Sequence, residues 1–279
     1  MQLGIFAKTF AGTTPDTVLA AAGAAGYAAV QYNMACSGLA AMPDQISTAE
    51  AQAVAAASRV RKVSIAAVSG TYNMIHPDVR IRESGHARLD VLAARCKALT
   101  APLITLCTGT RDPDDQWRAH AGNDSPEAWR DLLQSMQVAI AIAERWDVNL
   151  GIEPELANVV NSAAKAAQLI RDLQSPRVKI VLDPANLFEQ ASLAEQRDLV
   201  SSAIDLLGGH IAMGHAKDRA RDGSVVAAGK GEVDFQHYVS RLKAAGFNGP
   251  LVTHGLGSED AAGVATFLRN VLGDAGVGL

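Results

Sequence analysis

Four residues in the second half of the chain are of types that bind metal ions, and they recur at a regular interval. Glu153 stands in Gly151-Ile152-Glu153-Pro154-Glu155 and Asp183 in Val181-Leu182-Asp183-Pro184-Ala185-Asn186. His215 stands in Met213-Gly214-His215-Ala216-Lys217-Asp218 and His254 in Leu251-Val252-Thr253-His254-Gly255. Each closes or follows a short apolar run, and successive members lie roughly 30–40 residues apart, the length of one strand-plus-helix unit. Two carboxylates and two imidazoles form an N/O donor set suited to one divalent ion: manganese, zinc, cobalt or magnesium, with iron and nickel also in range. Carboxylates cancel metal charge, and imidazole is a neutral donor at pH 7 because its reference pKa is about 6.5. An open coordination position would let such an ion polarise a substrate hydroxyl or carbonyl, stabilise an enediolate or acidify a bound water. A lone Glu, Asp or His at a strand end is more often a loop-capping or ion-pairing group. Four at consecutive strand ends point to a site.

The elements that must position them are legible as an alternation of apolar runs with longer Ala/Leu/Arg-rich segments. Strands are expected at Leu3–Phe6, Ala28–Tyr32, Ser64–Val68, Leu103–Cys107, Asn149–Glu153, Lys179–Asp183, Gly209–Met213 and Leu251–His254. Helices are expected over 14–25, 47–60, 80–99, 126–145, 163–173, 192–206, 235–245 and 259–272. Thr14-Pro15 and Ser125-Pro126 each set an N-cap before a proline at the first helical position, Ser47-x-x-Glu50 reads as a capping box, and Ser162, Asp234 and Ser258 are further N-caps. Eight strands each followed by a helix imply parallel strands joined by right-handed crossovers, which at this length close into an α/β fold, the (β/α)8 TIM barrel. An open doubly wound sheet would show a Gly-rich dinucleotide turn after its first strand, and Phe6-Ala7-Lys8-Thr9-Phe10 is not one. No linker or low-complexity tract divides the chain, so residues 1–279 read as one barrel domain.

Bulk properties narrow the function classes. The chain has 279 residues, 48% of them hydrophobic and 19% charged, which is ordinary for a globular protein with a large core. A net charge of −4 with no basic block argues against a nucleic-acid partner, whose phosphates need clustered Lys and Arg. Cys36, Cys96 and Cys107 are scattered and odd in number, which suits a reducing compartment and supports neither a disulfide framework nor a thiolate zinc cluster. The opening Met1–Phe10 run lacks a basic region ahead of an apolar stretch, and no apolar run reaches the roughly 20 residues of a membrane helix. The expectation is a cytoplasmic protein with no membrane partner.

Several of these segments together resemble a known group, the xylose isomerase-like TIM barrels of the sugar phosphate isomerase/epimerase class. The resemblance rests on Ile152-Glu153-Pro154-Glu155, Leu182-Asp183-Pro184-Ala185-Asn186-Leu187, His215-Ala216-Lys217-Asp218, Gly229-Lys230-Gly231-Glu232-Val233-Asp234-Phe235 and the final Gly246-Phe247-x-Gly249-Pro250-Leu251 run. It implies one divalent ion held by a Glu, an Asp, a His and a second Glu from the last four strands, with the two glutamates exchanging protons with a substrate carbon. Glu153, Asp183 and His215 match the first three, and the fourth position falls on His254. A histidine can bind metal, but the pair of opposed carboxylates is broken, and removal and return of a proton each need a placed group. His254 if free of metal, Glu155 and Lys217 are the catalytic candidates beside Glu153. Glu155 and Lys217 each lie two residues beyond a proposed ligand and so share its inward side; an ion pair at the barrel rim is the structural alternative. A homodimer or tetramer is a further expectation from the resemblance.

The loop after the fourth strand carries Thr108-Gly109-Thr110-Arg111-Asp112-Pro113, then Trp117, Arg118, His120 and Asn123. An aromatic face can pack on sugar C–H groups while Arg111, His120 and Asn123 bind hydroxyls or an anionic group; a lid held by its own ion pairs accounts for the same residues. Asn73, in Ser69-Gly70-Thr71-Tyr72-Asn73, and Asn186 are further substrate-binding candidates, with Lys8 and Gln31 at the ends of the first two strands. Gly229-Lys230-Gly231 lacks P-loop spacing and precedes an Asp-capped helix, so it reads as a tight turn. The function expected is a metal-dependent isomerase or epimerase acting on a sugar, ketose or polyol through an enediolate-type intermediate. A lyase or dehydratase on a keto-sugar or keto-acid, and a non-catalytic sugar-binding subunit, are the rivals. An apurinic-site endonuclease on the same barrel needs many strand-end histidines, and only seven histidines occur in the chain.

Overall fold

A computed structural model describes residues 1–278. The strands are β1 (Gln2–Phe6), β2 (Ala29–Tyr32), β3 (Ser64–Ser69), β4 (Leu103–Cys107), β5 (Asn149–Glu153), β6 (Val178–Leu182), β7 (Ile211–Ala216), a short pair β8 (Asp218–Arg219) and β9 (Val225–Val226), and β10 (Pro250–Thr253). The helices are α1 (Pro15–Ala24), α2 (Thr48–Arg61), α3 (Val79–Leu99), α4 (Pro126–Trp146), α5 (Ala163–Leu173), α6 (Leu193–Leu207), α7 (Phe235–Ala244) and α8 (Ala261–Asp274). Eight strands close in the order β1-β10-β7-β6-β5-β4-β3-β2, all parallel, with β8 and β9 a small antiparallel pair above β7. This is the expected (β/α)8 TIM barrel.

The helix starts follow from local chemistry. Side chains of Thr14, Ser47, Ser125, Ser162, Ser192 and Asp234 each accept a backbone N–H of the first turn, with full capping boxes at Ser47/Glu50 and Ser192/Glu195. Ser258 does not cap α8, which begins after Asp260. Four helices end on non-glycine residues in the left-handed region, Lys62, Thr100, Asp147 and Gln174, just before the strands that follow. The seventh strand lies later than expected, at Ile211–Ala216 rather than Gly209–Met213, because the chain leaving α6 makes a further 3-10 turn over Gly208–His210. His215 is therefore inside the strand and not beyond it.

Alternation along the strands sorts the barrel interior into layers, since every second side chain faces inward. The floor is apolar: Ala67, Leu103, Val181, Met213 and Val252 form a cluster separate from the main core between sheet and helices. At Gly151 a Cβ would come within 2.8 Å of Val181 Cγ2, so the floor leaves no room for a side chain on β5. Two residues further along the same strands stand Thr105, Asp183, His215 and His254, and Glu153 stands two beyond Gly151. The ligand-type residues are thus the next inward position above a packed floor, at the C-terminal mouth where such barrels carry their sites.

Candidate functional site

At the mouth, one ligand atom each from Glu153, Asp183, His215 and His254 lies within 4.8 Å of the others. Donor atoms this close can converge on one ion with bonds of about 2.0–2.2 Å by side-chain movement alone. Glu153, Asp183 and His215 are 6%, 1% and 1% exposed, and the His254 side chain keeps 21% of its exposure. Glu153 Oε1 is 3.0 Å from His215 Nδ1 and accepts from Asn186 Nδ2 at 2.9 Å. Asp183 Oδ1 accepts the Ala185 N–H at 3.0 Å, which caps the 3-10 turn Pro184–Asn186 and fixes the carboxylate. The His215 and His254 rings lie 4.4 Å apart between centroids.

Two atoms test whether this set fits a cation. Asp183 Oδ2 and His254 Nε2 are buried and have no hydrogen-bond partner, and they face each other at 3.4 Å. A buried polar atom without a partner is costly, and of the eight such side-chain atoms among the described residues these two belong to the donor set and face each other. Lys217 brings a cationic side chain close to them. Its Nζ lies 3.2 Å from Glu155 Oε1 and 3.6 Å from both Glu153 Oε1 and Asp183 Oδ2. Glu153 and Asp183 are ionised against this one ammonium, with Glu155 beside them, so the buried carboxylates carry more negative charge than Lys217 cancels, which favours a cation. The residues present fit the group.

Titration behaviour follows the same arrangement. Burial alone would raise the Glu153 and Asp183 carboxyls, but the Lys217 ammonium and the neighbouring histidines outweigh it, and both are held below the usual range. Burial and the Glu153 charge push Glu155 up to about 7. Lys217 is raised despite burial because three carboxylates surround it, and His254 is lowered by burial and by the adjacent His215. Burial, with Glu153 and Glu155 nearby, lifts the Cys107 thiol well above its ordinary value, so it is no thiolate at neutral pH.

Above the four residues opens a cavity of about 530 Å3, lined by Glu153, Glu155, His215, Lys217 and His254 together with Phe6, Lys8, Gln31, Met42, Cys107 and Trp117. It shares Ala41, Met42, Thr71, Gln116 and Trp117 with a wider cleft of about 1020 Å3 towards α3. Of the eight proposed substrate-binding residues, Lys8, Gln31 and Trp117, the last 52% exposed, stand in the wall of the inner cavity. The others are spent on holding loops. Asn123 accepts from Thr110 Oγ1 and the Arg111 N–H and donates to Ala157 O; Asn73 donates to Thr110 O and accepts the Thr110 N–H, on the edge of the outer cleft. Arg111 pairs with Asp131 at 2.7 Å, beside Arg82 on the same carboxylate. His120 is exposed and caps a short turn by accepting the Gly122 N–H. Asn186 lies behind Glu153, 2% exposed, as its hydrogen-bond donor. A long irregular loop must satisfy its own backbone, and these side chains do that work.

Gly229-Lys230-Gly231 is explained by Asp218, whose carboxylate accepts the N–H groups of Arg219, Gly229, Gly231 and Val233. The turn's donors point inward at a fixed carboxylate, so no phosphate is needed to explain them. Thr105, the one polar residue in Leu103-Ile104-Thr105-Leu106-Cys107, was not singled out from the sequence; its inward phase, shared with Cys107, was the available signal.

A family model described as xylose isomerase-like TIM barrel matches residues 19–270. The chain belongs to the xylose isomerase-like TIM barrel family. Among solved structures, a 3-keto-D-glucoside 4-epimerase from E. coli is 15% identical with a TM-score of 0.78, over 97% of this chain and 99% of that one. A D-psicose 3-epimerase from Clostridium cellulolyticum H10 is 17% identical with a TM-score of 0.76, over 98% and 99%. A xylose isomerase domain protein from Planctomyces limnophilus is 18% identical with a TM-score of 0.75, over 99% and 98%. At such identities the likeness is one of fold. No curated protein sequence matches the chain. No helix among the described residues of this xylose isomerase-like barrel is long and apolar enough to cross a membrane.

Proposed function

We propose that the chain is a divalent-metal-dependent isomerase or epimerase of a keto-sugar or related polyol. What supports this most is the convergence of Glu153, Asp183, His215 and His254 within 4.8 Å, with Asp183 Oδ2 and His254 Nε2 left without partners. These four would hold one ion, whether manganese, zinc, cobalt or magnesium. When bound, the ion would supply Lewis acidity to vicinal substrate oxygens.

The remaining work falls to the chain's own groups. Glu155, the cavity carboxylate outside the donor set, would take the proton from the carbon beside a substrate carbonyl. Lys217, held against Glu155 at 3.2 Å, would donate to the oxygen on which charge develops. Trp117 and Met42 offer apolar walls for sugar C–H groups. Return of the proton by Glu155 to the neighbouring carbon gives an isomerase, whereas return by a second group gives an epimerase. The adjoining outer cleft would leave room for substrates larger than a free hexose, and the neighbours of this fold include enzymes named for free ketoses and for a keto-glucoside.

The test is incubation of metal-loaded protein with ketoses and keto-glycosides in deuterated water, followed by proton NMR. The expected result is deuterium at the carbon beside the carbonyl and a new sugar, both lost in Glu155→Gln. A new aldose assigns isomerisation and an inverted centre assigns epimerisation. An unsaturated product would transfer the site to the lyase reading, and metal-loaded protein that binds a sugar without exchange or product would make it a binding subunit.

A further inference from the structure

His215 has both ring nitrogens engaged. Nδ1 lies 3.0 Å from Glu153 Oε1, and Nε2 lies 2.7 Å from Gln31 Oε1. Gln31 is itself held, because its Nε2 donates to Ser69 Oγ and to Thr105 Oγ1, both at 3.0 Å. Gln31, Ser69 and Thr105 come from β2, β3 and β4 and are 8%, 6% and 3% exposed. None of these strands carries a member of the donor set. The connection therefore runs from strands that carry no member of the donor set into the half of the barrel that has all four.

The backbone is arranged for it. Between β2 and β3 the register slips by one residue, Val30 opposite Ile65 but Gln31 opposite Ala67. A one-residue slip exchanges the faces of everything beyond it, so the extra residue, Ala66, turns Ala67 and Ser69 towards the barrel interior. Without the slip Ser69 would face the helices and the Gln31 amide would lose one of its two anchors.

With its nitrogen committed to two hydroxyls, the amide presents its oxygen to His215, and a carbonyl oxygen can only accept. His215 must then donate Nε2–H. In the neutral ring this leaves the lone pair on Nδ1, facing the Glu153 carboxylate oxygen, acceptor against acceptor, a contact that a shared cation resolves. Metal-bound histidines commonly have their other N–H fixed by a carboxylate, a backbone carbonyl or water. Here a side-chain amide on a distant strand occupies that place.

We propose that Gln31 is a positioning residue for the metal centre: it holds His215 in the Nε2–H form and in the ring orientation that offers Nδ1 to the ion, with Ser69 and Thr105 orienting Gln31 in turn. The inference rests on the metal-centre reading above. It does not depend on which sugar is turned over, and its test needs none.

The experiment is titration of metal-stripped protein with cobalt(II), read both as affinity by chelator competition and as the visible absorption of the bound ion. Gln31→Met keeps the bulk and removes the carbonyl acceptor, Gln31→Glu keeps an acceptor, and Thr105→Val removes one anchor. Gln31→Met is expected to weaken cobalt binding by about tenfold to a hundredfold, the usual effect of losing such a partner, and to shift the visible bands. Gln31→Glu is expected to bind at least as tightly as the wild type, and Thr105→Val to lose less than Gln31→Met. Should Gln31→Met not fold by circular dichroism, Gln31→Asn, one methylene too short to reach His215, replaces it with the same expectation. Wild-type affinity and an unchanged spectrum in the variant lacking the acceptor would overturn the inference while leaving the metal centre intact. A wild type that binds no cobalt would overturn both.

Discussion

The floor and the mouth of the barrel are built on the same strands, one inward step apart, and are opposite in character. Below, Ala67, Leu103, Val181, Met213 and Val252 fill the interior with carbon. Above, Ser69, Thr105, Asp183, His215 and His254 succeed them on the same five strands, joined by Glu153 and Gln31. The floor gains its stability from close packing and has no unpaired polar group to manage. The mouth gathers three carboxylates, an ammonium and two imidazoles where burial disfavours every charge. It leaves two polar atoms unpartnered. A layer that serves folding alone would not be built so. On the function proposed above, one layer serves stability and the next serves chemistry, and each should be open to disturbance without the other.

The largest effect separates them most sharply. Asp183→Asn should weaken divalent-ion binding by at least a hundredfold while the metal-free protein unfolds in denaturant close to the wild type, since one buried charge is removed from a crowded acidic site. Metal titration beside urea unfolding reads both. Leu103→Ala is the converse. Truncating a buried leucine in a packed floor costs about 2–5 kcal/mol, and ion affinity of the folded protein should stay within a few-fold of the wild type. Lys217→Met sharpens the comparison within the mouth. Removing the ammonium leaves three carboxylates facing one another, so the metal-free variant should lose about 3 kcal/mol, and saturating manganese should restore most of it. A variant equally destabilised with and without manganese would show that Lys217 serves packing, not charge balance.

Smaller effects lie farther from the mouth. At Gly231 a Cβ would come within 2.3 Å of Arg219 O and 2.5 Å of Asp218 Oδ1. Gly231→Ala should therefore cost about 1–3 kcal/mol and open the 218–233 loop to protease, read by limited proteolysis. At the opposite end of the barrel, Thr100 holds φ at +60°, a conformation unfavourable for a β-branched residue. Thr100→Gly should stabilise the protein by about 1 kcal/mol in thermal unfolding and leave ion binding unchanged. Such independence is what the N-terminal face of a barrel should show.

Much of this was legible in the sequence because it is local or periodic. The alternation of strands and helices, and caps such as Thr14, Ser47 and Ser125, are short-range signals, and Glu153, Asp183, His215 and His254 are marked by their place at strand ends. What was not legible depends on partners far along the chain. Nothing near Asn123 or Arg111 indicates that Ala157 and Asp131 would take up their hydrogen bonds, so a loop scaffold looks like a binding surface. Gln31 and Thr105 are single polar residues in short strands, and Ser69, the other partner of Gln31, faces inward through a register slip that no composition reveals. Gly208-Gly209-His210 begins like a strand but continues the turn out of α6, which displaced the seventh strand.

The central claim is that four side chains at the mouth hold one divalent ion, and its most direct test is metal content by plasma mass spectrometry after stripping and reloading. The wild type should retain about one ion per chain, and Glu153→Gln, Asp183→Asn, His215→Ala and His254→Ala should each fall to a small fraction of that while remaining folded. A fully reloaded wild type without stoichiometric metal would contradict the account, and a His254→Ala variant that keeps its ion would remove His254 from the donor set.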